Sequence, residues 1–275
     1  MKILCIHHGN CADGFAAAWV VRKVFGEENV EFVAGVYQTP PPDVKGRNVI
    51  LVDFSYKRPV LEKMVEDADS VTVLDHHKTA EADLMGLVGA DTVFDMNRSG
   101  ARITWDYFFP DKAPPQLLLH IEDRDLWRFG LPSTREIQAA IFSYPYDFAV
   151  WDKLMARDPV NLIAEGTAIE RKHFKDIAEL VRVCRRELKI GGIVAPSASL
   201  PYTLTSDASH LMATEHPSKI GVCYWDTPAG RVFSLRSTDD GPDVSEIAKQ
   251  YGGGGHAHAA GFTVPFSVAA GFEVI

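Results

Sequence analysis

Residues 70–78 read Ser-Val-Thr-Val-Leu-Asp-His-His-Lys, a β-branched apolar run followed without a spacer by a carboxylate and two imidazoles. Asp75, His76 and His77 are side-chain types that ligate divalent metals, carry protons near neutral pH, or lock a ligating imidazole in one tautomer. Alone, the triplet fits a strand end with two solvated histidines equally well. Two other apolar runs change the balance. Ile3-Leu4-Cys5-Ile6 stops at His7, and Val49-Ile50-Leu51-Val52 stops at Asp53. If the three runs are neighbouring parallel strands, their carboxyl ends bring His7, Asp53 and Asp75-His76-His77 to one place.

The elements that would position these groups follow from periodicity and turn chemistry. A strand is expected over 2–8, then a turn through Gly-Asn-Cys-Ala-Asp-Gly, then a helix over Phe15 to Phe25. A second strand is expected from Val30 to Tyr37, ended by the prolines at 40–42. The third covers 49–52 and the fourth 71–74, with a helix over 57–67 between them. Strands alternating with helices predict an α/β fold with a doubly wound, mostly parallel sheet. From Asn97 the chain turns helical, over 100–109, 115–123 and 133–142. Asp123 and Asp125 close the second of these helices, either as solvated carboxylates or as a fourth ligand segment. One long helix is expected over 158–189, with Pro159 in its first turn and Gly191-Gly192 beyond its end. Its Arg182, Arg185, Arg186 and Lys189 read as a solvated face suited to a helix C-terminus.

That helix would connect a metal-binding domain, residues 1–158, through a linker at 159–193, to a smaller α/β domain at 194–275. In the latter, strands over 220–224 and 232–235 flank a hairpin turn, and a helix spans 244–250. Gly252-Gly253-Gly254-Gly255-His256 follows. Four glycines weaken any helix or strand, so close approach to a phosphate is one reason to keep them and a plain flexible loop the other. Arg236, beside Ser237 at a strand end, would add a charge-assisted fork to the same anion.

Composition limits the rest. The chain has 275 residues and a net charge of −9, with 46% hydrophobic and 24% charged residues. Such a balance opposes a broad phosphate-neutralising surface for long duplex nucleic acid, but not a small anion held through metals. Cys5, Cys11, Cys184 and Cys223 form no Cys-x-x-Cys pair, so neither a disulfide scaffold nor a zinc knuckle is indicated. With no long apolar segment near the start, a soluble cytoplasmic protein without membrane contact is the expectation.

Taken together, the motifs resemble the DHH phosphoesterase superfamily with its C-terminal DHHA1 domain. His7 to Gly14 resembles the first motif, Val52-Asp53 the second and Asp75-His76-His77 the third. Asp123 resembles the fourth, and Gly252 to His256 with Ala259 to Phe262 the glycine-rich motif. The resemblance implies a two-domain enzyme that closes a substrate-gripping domain over a metal site. It implies His7, Asp13, Asp53, His76 and Asp123 as metal ligands, with Asp53 bridging two divalent cations. His77, His256 and Arg236, with Ser237 and the amides of Gly253, Gly254 and Gly255, would meet the substrate phosphate. Asp75 would orient an imidazole, His8 would be structural, and Asp125 would stand behind the ligands. The family has Asp where this chain has Cys11. A thiolate ligand would move the preference from manganese toward zinc or iron, with cobalt and magnesium also admissible, or leave that site weak.

The implied chemistry is hydrolysis of a phosphodiester or phosphomonoester by metal-activated water. Short oligonucleotides, cyclic dinucleotides or 3′-phosphorylated adenosine nucleotides are the favoured substrates, and a homodimer is compatible with the sequence. The alternatives are a nucleotide sensor with one site disabled by Cys11, a pyrophosphatase-type hydrolase and a structural zinc protein.

Overall fold

The computed structural model describes residues 3–9, 11–269 and 271–272. The chain divides into two compact units, 1–170 and 171–275.

In the first unit the elements run β1 (Ile3–His8), α1 (Ala12–Phe25), β2 (Val30–Gly35), β3 (Asn48–Val52), α2 (Arg58–Asp67), β4 (Ser70–Asp75), α3 (Lys78–Leu84) and β5 (Asp91–Phe94). The helices α4 (Gly100–Phe108), α5 (Gln116–Asp125), α6 (Thr134–Ile141) and α7 (Phe148–Ala156) follow. The five strands form one sheet in the order β2-β1-β3-β4-β5, every pair parallel. This is a doubly wound sheet whose strand order reverses between β1 and β3, where such sheets bind ligands beyond the strand ends. Register makes the convergence concrete: His7 pairs with Val52 and Val52 with Leu74, so His8, Asp53 and Asp75 are the next residues out on adjacent strands.

Alternation along the strands builds a core on each face. Leu4, Ile6, Val49, Leu51, Val71 and Val73 pack with Leu61 and Met64 of α2. Cys5, Ile50, Val52 and Leu74 face the other way, onto a cluster that includes Ala16, Trp19 and Val20 of α1 and Ile103 of α4. Helix α1 starts at Ala12, three residues before the expected Phe15, with Cys11 as its extended N-cap. Gly14, read as a turn residue, is helical because a Cβ there would lie 2.5 Å from the His8 carbonyl oxygen. Close approach of helix to strand, rather than a turn, accounts for it. The short strand β5 and helix α7 were not anticipated.

The long helix differs from expectation at both ends. A 3-10 turn covers Pro159–Leu162, and α8 runs over Ile163–Cys184. Arg186–Ile190 is instead strand β6, paired antiparallel with β7 (Ile193–Ser199) across the Gly191-Gly192 turn. Leu188 and Ile190 are buried while Lys189 is exposed, a two-residue alternation that the preceding helical pattern hides in the sequence. Both glycines adopt positive φ, 54° and 80°, as a tight reversal demands.

The second unit continues with α9 (Thr205–Glu215), β8 (Ile220–Thr227), β9 (Gly230–Ser237), α10 (Val244–Gln250), β10 (Gly254–His256), β11 (Ala259–Val264) and α11 (Phe266–Ala269). Its sheet has the order β10-β11-β9-β8-β7-β6, antiparallel except between β7 and β8. Phe233, Leu235, Val222, Phe262 and Ile247 supply its main core. Among the described residues no helix is long and apolar enough to cross a membrane.

Candidate metal centre

Asp53 sits immediately past β3 with a left-handed φ of 54°, a conformation seldom adopted by residues with a side chain and one that surrounding structure must enforce. Its amide donates to the Leu74 carbonyl at 2.9 Å, and α4 begins against it. A Cβ on Gly100 would lie 2.4 Å from the Asp53 Cβ, so only glycine lets the α4 N-terminus approach this closely. Asp53 is 1% exposed. Its Oδ1 lies 3.1 Å from His76 Nε2 and its Oδ2 3.5 Å from His8 Nδ1, yet neither oxygen accepts a hydrogen bond. Buried carboxylate oxygens left this way normally pair or coordinate a metal.

Two donor sets surround it. His8, Cys11 and Asp53 bring ligand atoms within 4.8 Å of one another, and so do Asp13, His76 and Asp125. Asp53 reaches from one set to the other through His76. Carboxylates and imidazoles with a single thiol suit manganese, iron, cobalt or zinc, so the residues present fit the implied cations.

The geometry separates neighbouring candidates. His8, not His7, brings its imidazole to Asp53. Along β1 the side chains alternate, so His8 turns to the side of Phe54, its ring 6.3 Å away, while His7 turns to Phe15 at 5.9 Å. Asp125, not Asp123, joins the cluster, with Oδ2 3.4 Å from His76 Nε2. The Asp123 carboxylate accepts from Gly130 N at 2.8 Å, Leu131 N at 3.0 Å and Thr134 Oγ1 at 2.6 Å, which commits it to the turn after α5. Two positions on a helix are about 200° apart, so both aspartates cannot face one point.

Asp13 lies in the first turn of α1 and accepts the Ala101 amide at 3.2 Å, which ties it to the α4 N-terminus. The Asp75 Oδ1 accepts from His76 N at 2.7 Å, His77 N at 3.3 Å and His77 Nδ1 at 2.7 Å. The last bond fixes the His77 ring and leaves Nε2 to face elsewhere. Tyr37 packs beside these groups, 5.4 Å from the His8 ring and 6.0 Å from that of His77. Neither Tyr37 nor Gly100 carries a motif that sequence reading alone would pick out.

Charge in the cluster is strongly interdependent. Burial pushes Asp13 well above the usual carboxylate range, and Asp125 and Asp53 add to the push. Burial also raises Asp125, reinforced by Asp53. For Asp53, burial is outweighed by the His76 and His8 imidazoles, which hold it well below the usual range. Burial disfavours the His76 imidazolium, but Asp53, Asp125 and Asp13 together raise its pKa to about 10. Burial and then Asp53, Asp125 and Asp13 push the Cys11 thiol up. The carboxylates are thus packed so closely that their ionised forms disfavour one another, and a cation would relieve that repulsion.

Residues 206–270 match the DHHA1 domain. The fold resembles RecJ from Thermus thermophilus in complex with Mn2+, with a TM-score of 0.53, 14% identity, and coverage of 97% of this chain and 50% of that one. It also resembles the pGpG-specific phosphodiesterase PggH of Vibrio cholerae, with a TM-score of 0.50, 17% identity, and coverage of 98% and 95%. The chain thus carries a DHHA1 domain over 206–270 and shares the overall fold of these two proteins. In sequence, an uncharacterized protein of Acanthamoeba polyphaga mimivirus is 30% identical over 278 residues, which is 93% of this chain and 66% of that protein.

Within the DHHA1 domain, the expected anion groups separate into two kinds. His256 pairs with Ala259 and Ala259 with Arg236 across three strands, so all three side chains leave one face of the sheet, with the small Ala259 between the other two. The Arg236 guanidinium is held by Ser206 Oγ at 2.8 Å and the Leu235 carbonyl at 3.0 Å. Ser237 is instead buried, its Oγ 2.8 Å from His258 Nδ1, and it is spent on the turn before β11.

The glycine run is also largely structural. Gly252 and Gly253 amides donate to Lys249 and Ala248 carbonyls at the end of α10, and Gly254 and Gly255 enter β10. A Cβ on Gly253 would lie 2.1 Å from the Gly261 carbonyl oxygen. The close approach that glycine permits here is made by the chain itself.

Proposed function

We propose that this protein is a DHH-type phosphoesterase that hydrolyses phosphoester bonds of short oligonucleotides or small nucleotides, using divalent cations held around Asp53. The observation that carries this reading is the Asp53 carboxylate, buried and without hydrogen bonds, with His8 on one oxygen and His76 on the other. His8, Cys11 and Asp53 would hold one cation, and Asp13, His76, Asp125 and Asp53 a second. Cations there would supply Lewis acidity toward a phosphoryl oxygen and activate water for attack.

The remaining residues act on the substrate. His77, with Nδ1 tied to Asp75, keeps a proton more firmly than a free imidazole, because the Asp75 charge and hydrogen bond outweigh its burial. It would donate from Nε2 to the charge building on a non-bridging oxygen. Arg236 and His256 would clamp the phosphate from the DHHA1 domain. A net charge of −9 favours small anions over long strands, and pGpG is the substrate named for PggH. Manganese is the leading candidate cation, as in the RecJ complex.

The test is to strip the protein with a chelator, return manganese, cobalt or zinc, and follow hydrolysis of an aryl phosphodiester. A panel of two- to five-residue RNA and DNA oligomers, cyclic dinucleotides and 3′-phosphoadenosine 5′-phosphate then ranks substrates. Turnover with none of these metals overturns the reading, and nucleotide binding without turnover would point to a sensor.

A further inference from the structure

The turn that follows Asp125 holds three non-glycine residues at positive φ: Trp127 at 57°, Phe129 at 48° and Ser133 at 60°. Such conformations persist only where neighbouring structure imposes them. Asp123 imposes them here. Its carboxylate takes Gly130 N, Leu131 N and Thr134 Oγ1, and its carbonyl takes Arg128 N at 2.9 Å.

The result is a strip in which cations and rings alternate. The Arg124 guanidinium lies 4.4 Å from the Trp127 ring and 5.8 Å from that of Phe142. Trp127 meets Phe129 edge to face at 5.1 Å, and Arg135 lies 3.6 Å from the Phe129 ring. Trp127 and Phe129 are only half-buried, Phe142 is 51% exposed, and a hollow of about 160 Å3 opens beside Phe129, Leu131 and Arg135. Arg135 makes no ion pair among the described residues.

Core packing does not explain rings left half in water, and ion pairing does not explain Arg135. Surfaces that hold single-stranded nucleic acid have this composition, because every base offers a π-face to an aromatic ring and the backbone phosphates meet the interleaved cations. Trp127 is two residues from Asp125, at most about 7 Å of extended chain.

We propose that Arg124–Arg135 with Phe142 is a stacking platform for a base next to the scissile phosphate, so that the substrate is a single-stranded oligonucleotide of at least two residues. The proposal rests on the phosphoesterase reading for the position of the scissile bond, while the platform itself can be assayed without turnover.

The experiment compares wild type with Trp127→Leu and, as the variant least able to disturb folding, Arg135→Gln. With manganese, KM for a pentanucleotide relative to KM for a base-free sugar phosphodiester should rise about tenfold in Trp127→Leu, the order expected for one lost base stack. An equal change on both substrates, or none, overturns the platform. With calcium in place of manganese, anisotropy of a fluorescein-labelled pentanucleotide reads binding alone. Weaker binding in both variants supports the platform even if wild type turns nothing over, and unchanged binding overturns it.

Discussion

The Oδ1 of Asp53 lies 3.1 Å from Nε2 of His76, although the two residues end different strands and lie 23 positions apart. The parallel register of β3 and β4 brings them together, and the opposite oxygen of Asp53 faces His8 at 3.5 Å. One carboxylate therefore touches both donor sets. Replacing Asp53 with Asn should lower manganese affinity on the order of 100-fold or more, measured by calorimetry, and abolish turnover. It should also destabilise the metal-free protein, because a carboxyl held below its usual pKa favours the folded state above that pKa.

Asp125 should behave in the opposite sense. Its pKa is raised, so its ionised form at neutral pH opposes folding when no cation is bound. Asp125→Asn should raise the melting temperature of the chelator-treated protein by about 2 °C, the shift expected for roughly 1 kcal/mol in a domain of this size. The same change should lower the melting temperature relative to wild type once manganese is added.

Asp123 gives the contrasting result. Removing its carboxylate leaves Gly130 N and Leu131 N without their acceptor, so Asp123→Ala should cost about 3 kcal/mol with or without metal, read from urea unfolding. Its hydrogen bonds outweigh burial and hold its pKa below the usual range. The stabilisation is therefore complete above the ordinary carboxylate pKa of about 3.9 and fades as pH falls through the lower folded value.

These two aspartates show how far the sequence could be read. The strand ends were legible because apolar runs stopping at His, Asp and Asp-His-His can converge only if the strands are parallel neighbours, and the sheet has that order. Which of two adjacent candidates faces the site was not. His7 and His8 differ by one step of strand alternation, and Asp123 and Asp125 by the roughly 200° that two positions subtend on α5, so each pair looks alike in sequence yet faces different ways. Strand β6 was hidden because its charged residues extend the helical pattern of α8. The glycine run shows that sequence reveals a need for close approach without revealing which atoms approach.

Metal binding should depend on pH through His76. With a pKa of about 10, the metal-free folded protein holds a proton there at neutral pH, and a cation must expel it. Apparent manganese affinity should therefore rise by about one decade per pH unit between pH 6 and 9 from this group alone. Calorimetry in buffers of different ionisation enthalpy should record release of at least about one proton per cation set. No buffer dependence would show that His76 keeps its proton when the cation binds, and so is not a ligand.

Cys11 tests what kind of cation the site prefers. Its Sγ lies in the donor set of His8 and Asp53, and burial with three nearby carboxylates keeps the thiol protonated when the site is metal-free. A soft, borderline cation offsets the cost of deprotonating it better than manganese does. Cobalt-loaded wild type should show a thiolate-to-cobalt charge-transfer band that Cys11→Asp lacks. In Cys11→Asp, manganese affinity should rise and zinc affinity fall, because an ionised carboxylate replaces the thiol at the same place. If the band is absent from wild type and both affinities stay unchanged, Cys11 acts only as the N-cap of α1.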